Sequence, residues 1–221
     1  MFFQPLKEGK LYFMTVKLFL LGLPGSGKST VARYIQEYVR KWDWSTSHFS
    51  DYPFLQEMFR NDIEGKYFSP TKYGGFDVLD LTVLDIALKK LEQSVDKYIY
   101  AARPKEMILI EFARNDYHWA FRQFNNSFLR DACLLFLEAE IDICKQRIFD
   151  RVADPATGDD YFVSDYIFDL YYSGNKPILW PNLIGEFGFD RQKVKAIDDN
   201  GSLQDVIPQI NDFVDSIYKS S

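Results

Sequence analysis

Nine consecutive residues, Gly22-Leu23-Pro24-Gly25-Ser26-Gly27-Lys28-Ser29-Thr30, fit the pattern G-x-x-x-x-G-K-[ST] at every position. The composition suits one task. Gly22, Gly25 and Gly27 permit backbone dihedrals that a Cβ would forbid. Successive N–H groups can then turn inward around a phosphate. A helix beginning near Lys28 adds its positive dipole end. Lys28 supplies a compact charge for the β- and γ-phosphates, and the Ser29 hydroxyl suits Mg²⁺. Gly22, Pro24, Gly25, Ser26, Gly27, Lys28, Ser29 and Thr30 are therefore expected to bind a nucleoside triphosphate. The alternative is a glycine-rich turn that binds nothing, which would require so long a match to arise by chance.

The flanking elements are the ones such a loop needs. Val16–Leu21 is apolar on both faces, as a buried parallel strand is. Val31, Ile35, Val39 and Trp42 then fall on one helical face. Downstream, short apolar runs alternate with helical patterns, which predicts a parallel sheet with crossover helices. Strands are expected at 44–50, 107–110, 132–137 and 194–197. Helices are expected near 81–99, 119–130, 141–151 and from 165 to 171. Ser202-Leu203-Gln204-Asp205 resembles a capping box for a terminal helix, with Pro208 arguing for a start one turn later. Residues 51–77 read as irregular and aromatic, 153–163 as an acidic loop, and 173–192 as a long connection.

Composition narrows the class. With 221 residues the chain is long enough to bury a core as a single domain without a metal or disulfide. A net charge of −6 argues against a dedicated nucleic-acid binder. Cys133 and Cys144 read as reduced thiols in a cytoplasmic setting, and with His48 and His118 they form no zinc-ligand spacing. No apolar run approaches the roughly 20 residues that span a bilayer, so no membrane partner is expected. Residues 1–13 read as an extension ahead of Met14, or as a misplaced start. Oligomeric state is not legible.

With the loop at 22–30, the strand–helix order and the length of the chain in view, it resembles the P-loop kinase group, typified by adenylate kinase, shikimate kinase and the zeta-toxin sugar kinases. The resemblance covers roughly residues 15–218 and also rests on Arg147 and Arg151 ahead of a lid-like loop. It implies an α/β three-layer fold with a five-stranded parallel sheet of order 2-3-1-4-5. It implies a lid at 152–163, a candidate acceptor-binding insertion at 51–77, and ATP- and Mg²⁺-dependent phosphoryl transfer to a nucleotide, sugar or other metabolite. Other P-loop classes fit less well. Asn175-Lys176-Pro177-Ile178 lacks the Asp of a guanine reader, and Glu111 is followed by Phe112 rather than preceded by Asp. A non-catalytic nucleotide-binding regulator and a slow NTPase remain the competing functions.

Further site residues follow from this resemblance. Glu111, at the end of a strand beside the loop, would join Ser29 at the metal, though the resembled kinases mostly have Asp there; pairing with Arg114 is the alternative. Arg147 and Arg151, four apart and so on one helix face, would clamp the transferring phosphoryl group, or else pair with Asp150 and Asp154. Asp51 would bind or deprotonate the acceptor hydroxyl, or else serve as a turn former or N-cap. Arg114 could hold an acidic group on the acceptor, with Arg60 and Lys66 as weaker candidates. Asn200 would neighbour the purine, or simply form a turn. His118 reads as structural. The aromatic residues of 51–77 could line an acceptor pocket or form a small local core.

Overall fold

In the computed structural model, the described residues are 15–73, 75–100, 105–153, 162–172 and 180–220. The N-terminal extension at 1–13 and most of the expected lid lie outside them. Strand β1 (Thr15–Leu21) is the middle of the sheet, and Leu18, Phe19, Leu20 and Leu21 are fully buried. That burial on both faces accounts for its unbroken apolar run. It pairs in parallel with β5 (Glu106–Phe112) on one side and β6 (Cys133–Glu138) on the other. Strand β2 (Ser45–Ser50) lies outside β5, and β7 (Val194–Asp198) outside β6. Strand β2 is an edge, which explains why its sequence, STSHFS, is polar and only partly buried. The order is β2-β5-β1-β6-β7. Counting the parallel strands alone, this is the expected 2-3-1-4-5.

Helices cover both faces. Leu18 and Leu20 face α1 (Lys28–Arg40) and α9 (Leu203–Ser220) through Val31, Ile35, Val206, Ile210 and Val214. Phe19 and Leu21 face α3 (Thr82–Ile99), α4 (Tyr117–Phe121), α5 (Asn126–Leu129) and α8 (Trp180–Phe187). On that side Phe19 meets Phe112, Phe121, Phe124 and Phe128 edge-to-face, with centroids 5.6–6.1 Å apart. Each such contact adds to area burial by about 0.5–1.5 kcal/mol.

Four expectations need correction. Residues 51–77 are not irregular. They contain α2 (Tyr52–Asn61) and an antiparallel hairpin of β3 (Phe68–Pro70) and β4 (Phe76–Val78). Pro53 sits in the first turn of α2, where a missing N–H removes no helical bond. The Asp62 carboxylate then accepts the N–H groups of Lys66, Tyr67 and Phe68 and shapes the turn. Second, the stretch 119–130 forms two short helices rather than one. Asn125 breaks it, donating its backbone and side-chain N–H to Glu92 Oε1 at 2.9 and 2.8 Å. Third, the connection at 173–192 includes α8 and a 3₁₀ turn, Arg191–Lys193. Fourth, α9 starts at Leu203 and carries Pro208 inside it. Asp205 Oδ2 accepts both the N–H and the hydroxyl of Ser202 at 2.8 Å, so the capping box closes ahead of the proline. Burial of Val206 and Ile210 on either side of Pro208 offsets the lost bond.

The chain continues from α6 (Ile141–Ala153) to α7 (Asp165–Ile167), which passes into a π-helical turn, Phe168–Tyr172. Ser164 caps α7, its hydroxyl accepting the Ile167 N–H at 3.2 Å. Among the described residues no helix is long and apolar enough to cross a membrane.

Candidate functional site

The loop between β1 and α1 crosses the C-terminal edge of the sheet, where parallel α/β folds gather ligands. Gly25 has φ +79° and Gly27 φ +90°. A Cβ on Gly25 would strike the backbone carbonyl of Cys144 in α6. One on Gly27 would strike the Asp199 carboxylate beyond β7. The glycines are thus needed for conformation and for close packing together. Tyr117 anchors the start of the loop: its hydroxyl accepts the Gly22 N–H at 2.6 Å and donates to the Gly22 carbonyl at 3.2 Å. Ser26 Oγ is buried with no hydrogen-bond partner among the described residues. A donor stranded in the centre of such a loop fits a phosphate oxygen better than a closed turn.

Lys28 is buried and curls onto the loop, donating to the carbonyls of Leu23 at 2.7 Å and Gly22 at 3.1 Å. Burial pulls its ammonium below the ordinary lysine value, with the charge of Glu111 opposing. The hydroxyl of Ser29, next on α1, donates to Glu111 Oε1 at 2.9 Å. The other carboxylate oxygen, Oε2, lies 3.0 Å from His48 Nε2 on β2. Burial alone would push the Glu111 carboxyl up; the His48 hydrogen bond, the Lys28 charge and the Ser29 hydroxyl together hold it below the usual range.

The pair of hard oxygens from Ser29 and Glu111 suits Mg²⁺. Among the described residues no group of three or more His, Cys, Asp or Glu side chains is placed to hold a metal. A cation here would therefore take most of its ligands from phosphates and water, which is how Mg²⁺ is commonly bound. Ser29 and Glu111 are brought together as expected, and Glu111 does not pair with Arg114. His48 was not anticipated as a site residue, because only the register of β2 against β5 brings it to Glu111.

On one side of the loop is a cavity of about 330 Å³, lined by Gly25, Gly27, Thr30, Arg147, Arg151 and Asp199 among others. Arg147 Nη1 lies 3.4 Å from Asp199 Oδ2, and Nη2 donates to the Gly201 carbonyl at 2.7 Å. Arg147 is thereby tied to the loop after β7. The expected alternative, pairing with Asp150, is not made: Asp150 accepts from Gln146. Arg151 carries its charge close enough to Lys28 to help lower it. Burial pushes the Asp199 carboxyl up, and Arg147 counters it. Asn200 does not line this cavity. Its side-chain oxygen accepts the Glu140 N–H at 2.7 Å, and its own N–H donates to Asp198 Oδ1 at 3.0 Å.

On the other side a smaller cavity of about 80 Å³ contains Asp51 and Arg114. Arg114 Nη2 is 2.7 Å from Asp51 Oδ2, and both side chains are more than nine-tenths buried. Arg114 also donates to the carbonyls of Ala113 at 2.6 Å and Leu84 at 2.9 Å. Burial pushes the Asp51 carboxyl up, with the Arg114 and Lys28 charges working against it. Asp51 stands at the N-cap of α2, yet its side chain makes no capping bond and turns to Arg114 instead. Tyr52, Leu55, Phe76, Asp77 and Tyr172 stand around the pair. The aromatic residues of 51–77 thus serve both as local core and as cavity wall. Arg60 and Lys66 are exposed and line neither cavity. His118 pairs with Glu186 at 2.7 Å, on α8, as a structural histidine would.

Three residues with evident roles escaped sequence reasoning: His48, Tyr117 and Asp199. Asp199 had a signal, being an acid immediately after the last strand. Tyr117 and His48 had none, because their partners lie 95 and 63 residues away.

No protein-family model and no curated protein matches the chain. Solved structures do. An unliganded sugar kinase from a Janibacter species aligns with a TM-score of 0.56 at 14% identity, covering 91% of this chain and 95% of that one. The APS kinase of Mycobacterium tuberculosis, in complex with AMPPNP and APS, aligns with a TM-score of 0.52 at 12% identity, covering 91% and 98%. The chain therefore has the fold of P-loop kinases, recognised at identities that speak for fold alone.

Proposed function

We propose that the protein transfers the γ-phosphoryl group of ATP, with Mg²⁺, to a hydroxyl of a small molecule. One observation carries the reading: a phosphate loop with its lysine and a Ser29–Glu111 oxygen pair faces a separate cavity that contains a buried carboxylate. A nucleotide-binding switch needs the first feature and has no use for the second. The resemblance to kinases in fold supports the same class.

In this reading the loop amides, Ser26 and Lys28 hold the triphosphate. Lys28 exchanges two carbonyl partners for phosphate oxygens, so its charge meets charge where negative density builds. Ser29 and Glu111 would hold Mg²⁺, which when bound neutralises phosphate charge. Asp51 accepts the proton of the acceptor hydroxyl. The hydroxyl oxygen forms a bond to the γ-phosphorus, the bond to the β–γ bridging oxygen breaks, and ADP leaves with that electron pair. Arg114 fixes the orientation of Asp51. Arg147 and Arg151, on the wall of the larger cavity, would meet the charge of the transferring phosphoryl group. The segment 152–163 acts as the lid that excludes water, and 51–77 as the acceptor-binding element.

The test is ADP formation and product mass with Mg·ATP and an acceptor panel. Wild type should turn over, and Lys28→Ala, folded by circular dichroism, should be slower by about 10²–10³-fold. Equal rates in the two proteins would refute the mechanism. ATP binding without turnover on any acceptor would favour a regulator.

A further inference from the structure

We infer that the acceptor is an alcohol bearing no anionic group, with an apolar or aromatic body; this rests on the phosphotransfer reading and specifies the acceptor. The argument starts from Arg114. Among the described residues lining the smaller cavity it is the one cationic side chain, and two acids, Asp51 and Asp77, share that lining. Its terminal nitrogens are already engaged, Nη2 by Asp51 at 2.7 Å and the Leu84 carbonyl, Nη1 by the Ala113 carbonyl; Nε is buried away from the surface, without a partner among the described residues. A phosphate or carboxylate on the acceptor would have to displace Asp51 from it, leaving that carboxylate buried without its counter-charge. The expectation that Arg114 receives an acidic group is therefore not the one its surroundings favour.

The remaining walls point the same way. Leu55, Val78, Leu84, Val163 and Ile167 are aliphatic. Tyr52 and Phe76 stack at 5.7 Å with an interplanar angle of 3°, giving a flat aromatic face. Asp77 is fixed by accepting the Ser164 N–H at 3.3 Å, so an acid stays on the rim. Such a surface binds through apolar area and one oriented hydroxyl.

The full-length protein, loaded with Mg·AMPPNP so that the phosphate loop is filled, gives the test. Two probes are titrated by calorimetry. Inorganic phosphate should produce no saturable binding. Matched pairs, a nucleoside or aryl glycoside against its phosphate ester, should favour the uncharged member by about tenfold or more. Saturable phosphate binding that Arg114→Met abolishes, a preference for the esters, or binding of no uncharged alcohol would each overturn the inference. Failure of AMPPNP to bind at all would instead strike at the phosphotransfer reading, so the two failures are separable.

Discussion

On one side of the phosphate loop, a cavity of about 330 Å³ is walled by glycines, two arginines and Asp199. On the other, a cavity of about 80 Å³ is walled by aliphatic and aromatic side chains around one buried ion pair. The first is built largely from backbone and from arginines that keep partial contact with solvent. Arg147, for example, is 30% exposed. The second depends on two charges that survive burial only because each has the other. A triphosphate brings its own charge and needs donors to meet it. A neutral alcohol needs shape, and one carboxylate aimed at its proton. The difference predicts that damage to the smaller cavity shows first as lost stability, and damage to the larger one as lost nucleotide binding.

The largest effect should come from splitting the buried pair. Asp51→Ala or Arg114→Ala leaves one charge buried alone and should cost about 3–5 kcal/mol in denaturant unfolding. The double variant Asp51→Leu with Arg114→Met should recover much of that loss while leaving transfer abolished. Full additivity would show that the two side chains do not depend on each other. Next is Lys28→Ala, expected to lower transfer by about 10²–10³-fold, the range for removing one donor from a developing anion. Its unfolding midpoint should hold or rise, since a buried ammonium is removed.

The legibility of the chain follows the same division. The phosphate loop could be read because its chemistry is local: backbone amides, three glycines and a lysine within nine residues. The sheet was legible because β1, β5 and β6 are apolar runs too short and too regular to be anything else. The smaller cavity is assembled from α2, the β3–β4 hairpin, α3, the end of β5 and the π-helical turn. No spacing in the sequence marks such an assembly. Asp51 and Arg114 were each expected there. That they neutralise each other was visible only once Ser50 aligned with Glu111 across β2 and β5. Likewise Arg147 pairs with an acid 52 residues away, not with the near neighbours that helical spacing offered.

Smaller effects sharpen the comparison. Gly25→Ala sets a Cβ against the Cys144 backbone at positive φ, and should cost about 1–3 kcal/mol with loss of nucleotide binding. Arg147→Ala should weaken nucleotide binding by roughly fivefold, about 1 kcal/mol, because an arginine that keeps partial contact with solvent contributes little more. Acceptor KM should not move. The pH profile should separate the sides too. Burial raises the Asp51 carboxyl, so it is ionised in the folded protein only above the ordinary aspartate value of about 3.9. The acid limb of kcat should lie above that value. By linkage, Asp51 makes the folded state relatively more stable as pH falls through the window between its folded and unfolded values. His118→Ala, at a residue that lines neither cavity, should change stability by less than about 0.5 kcal/mol.

The most direct test of the central claim is calorimetric titration of the folded protein with Mg·ATP, in parallel with Lys28→Ala. The account predicts saturable binding at one site per chain, weakened when Mg²⁺ is withheld and lost in the variant. A folded wild-type protein that gives no saturable heat, or a variant that binds equally well, would contradict it.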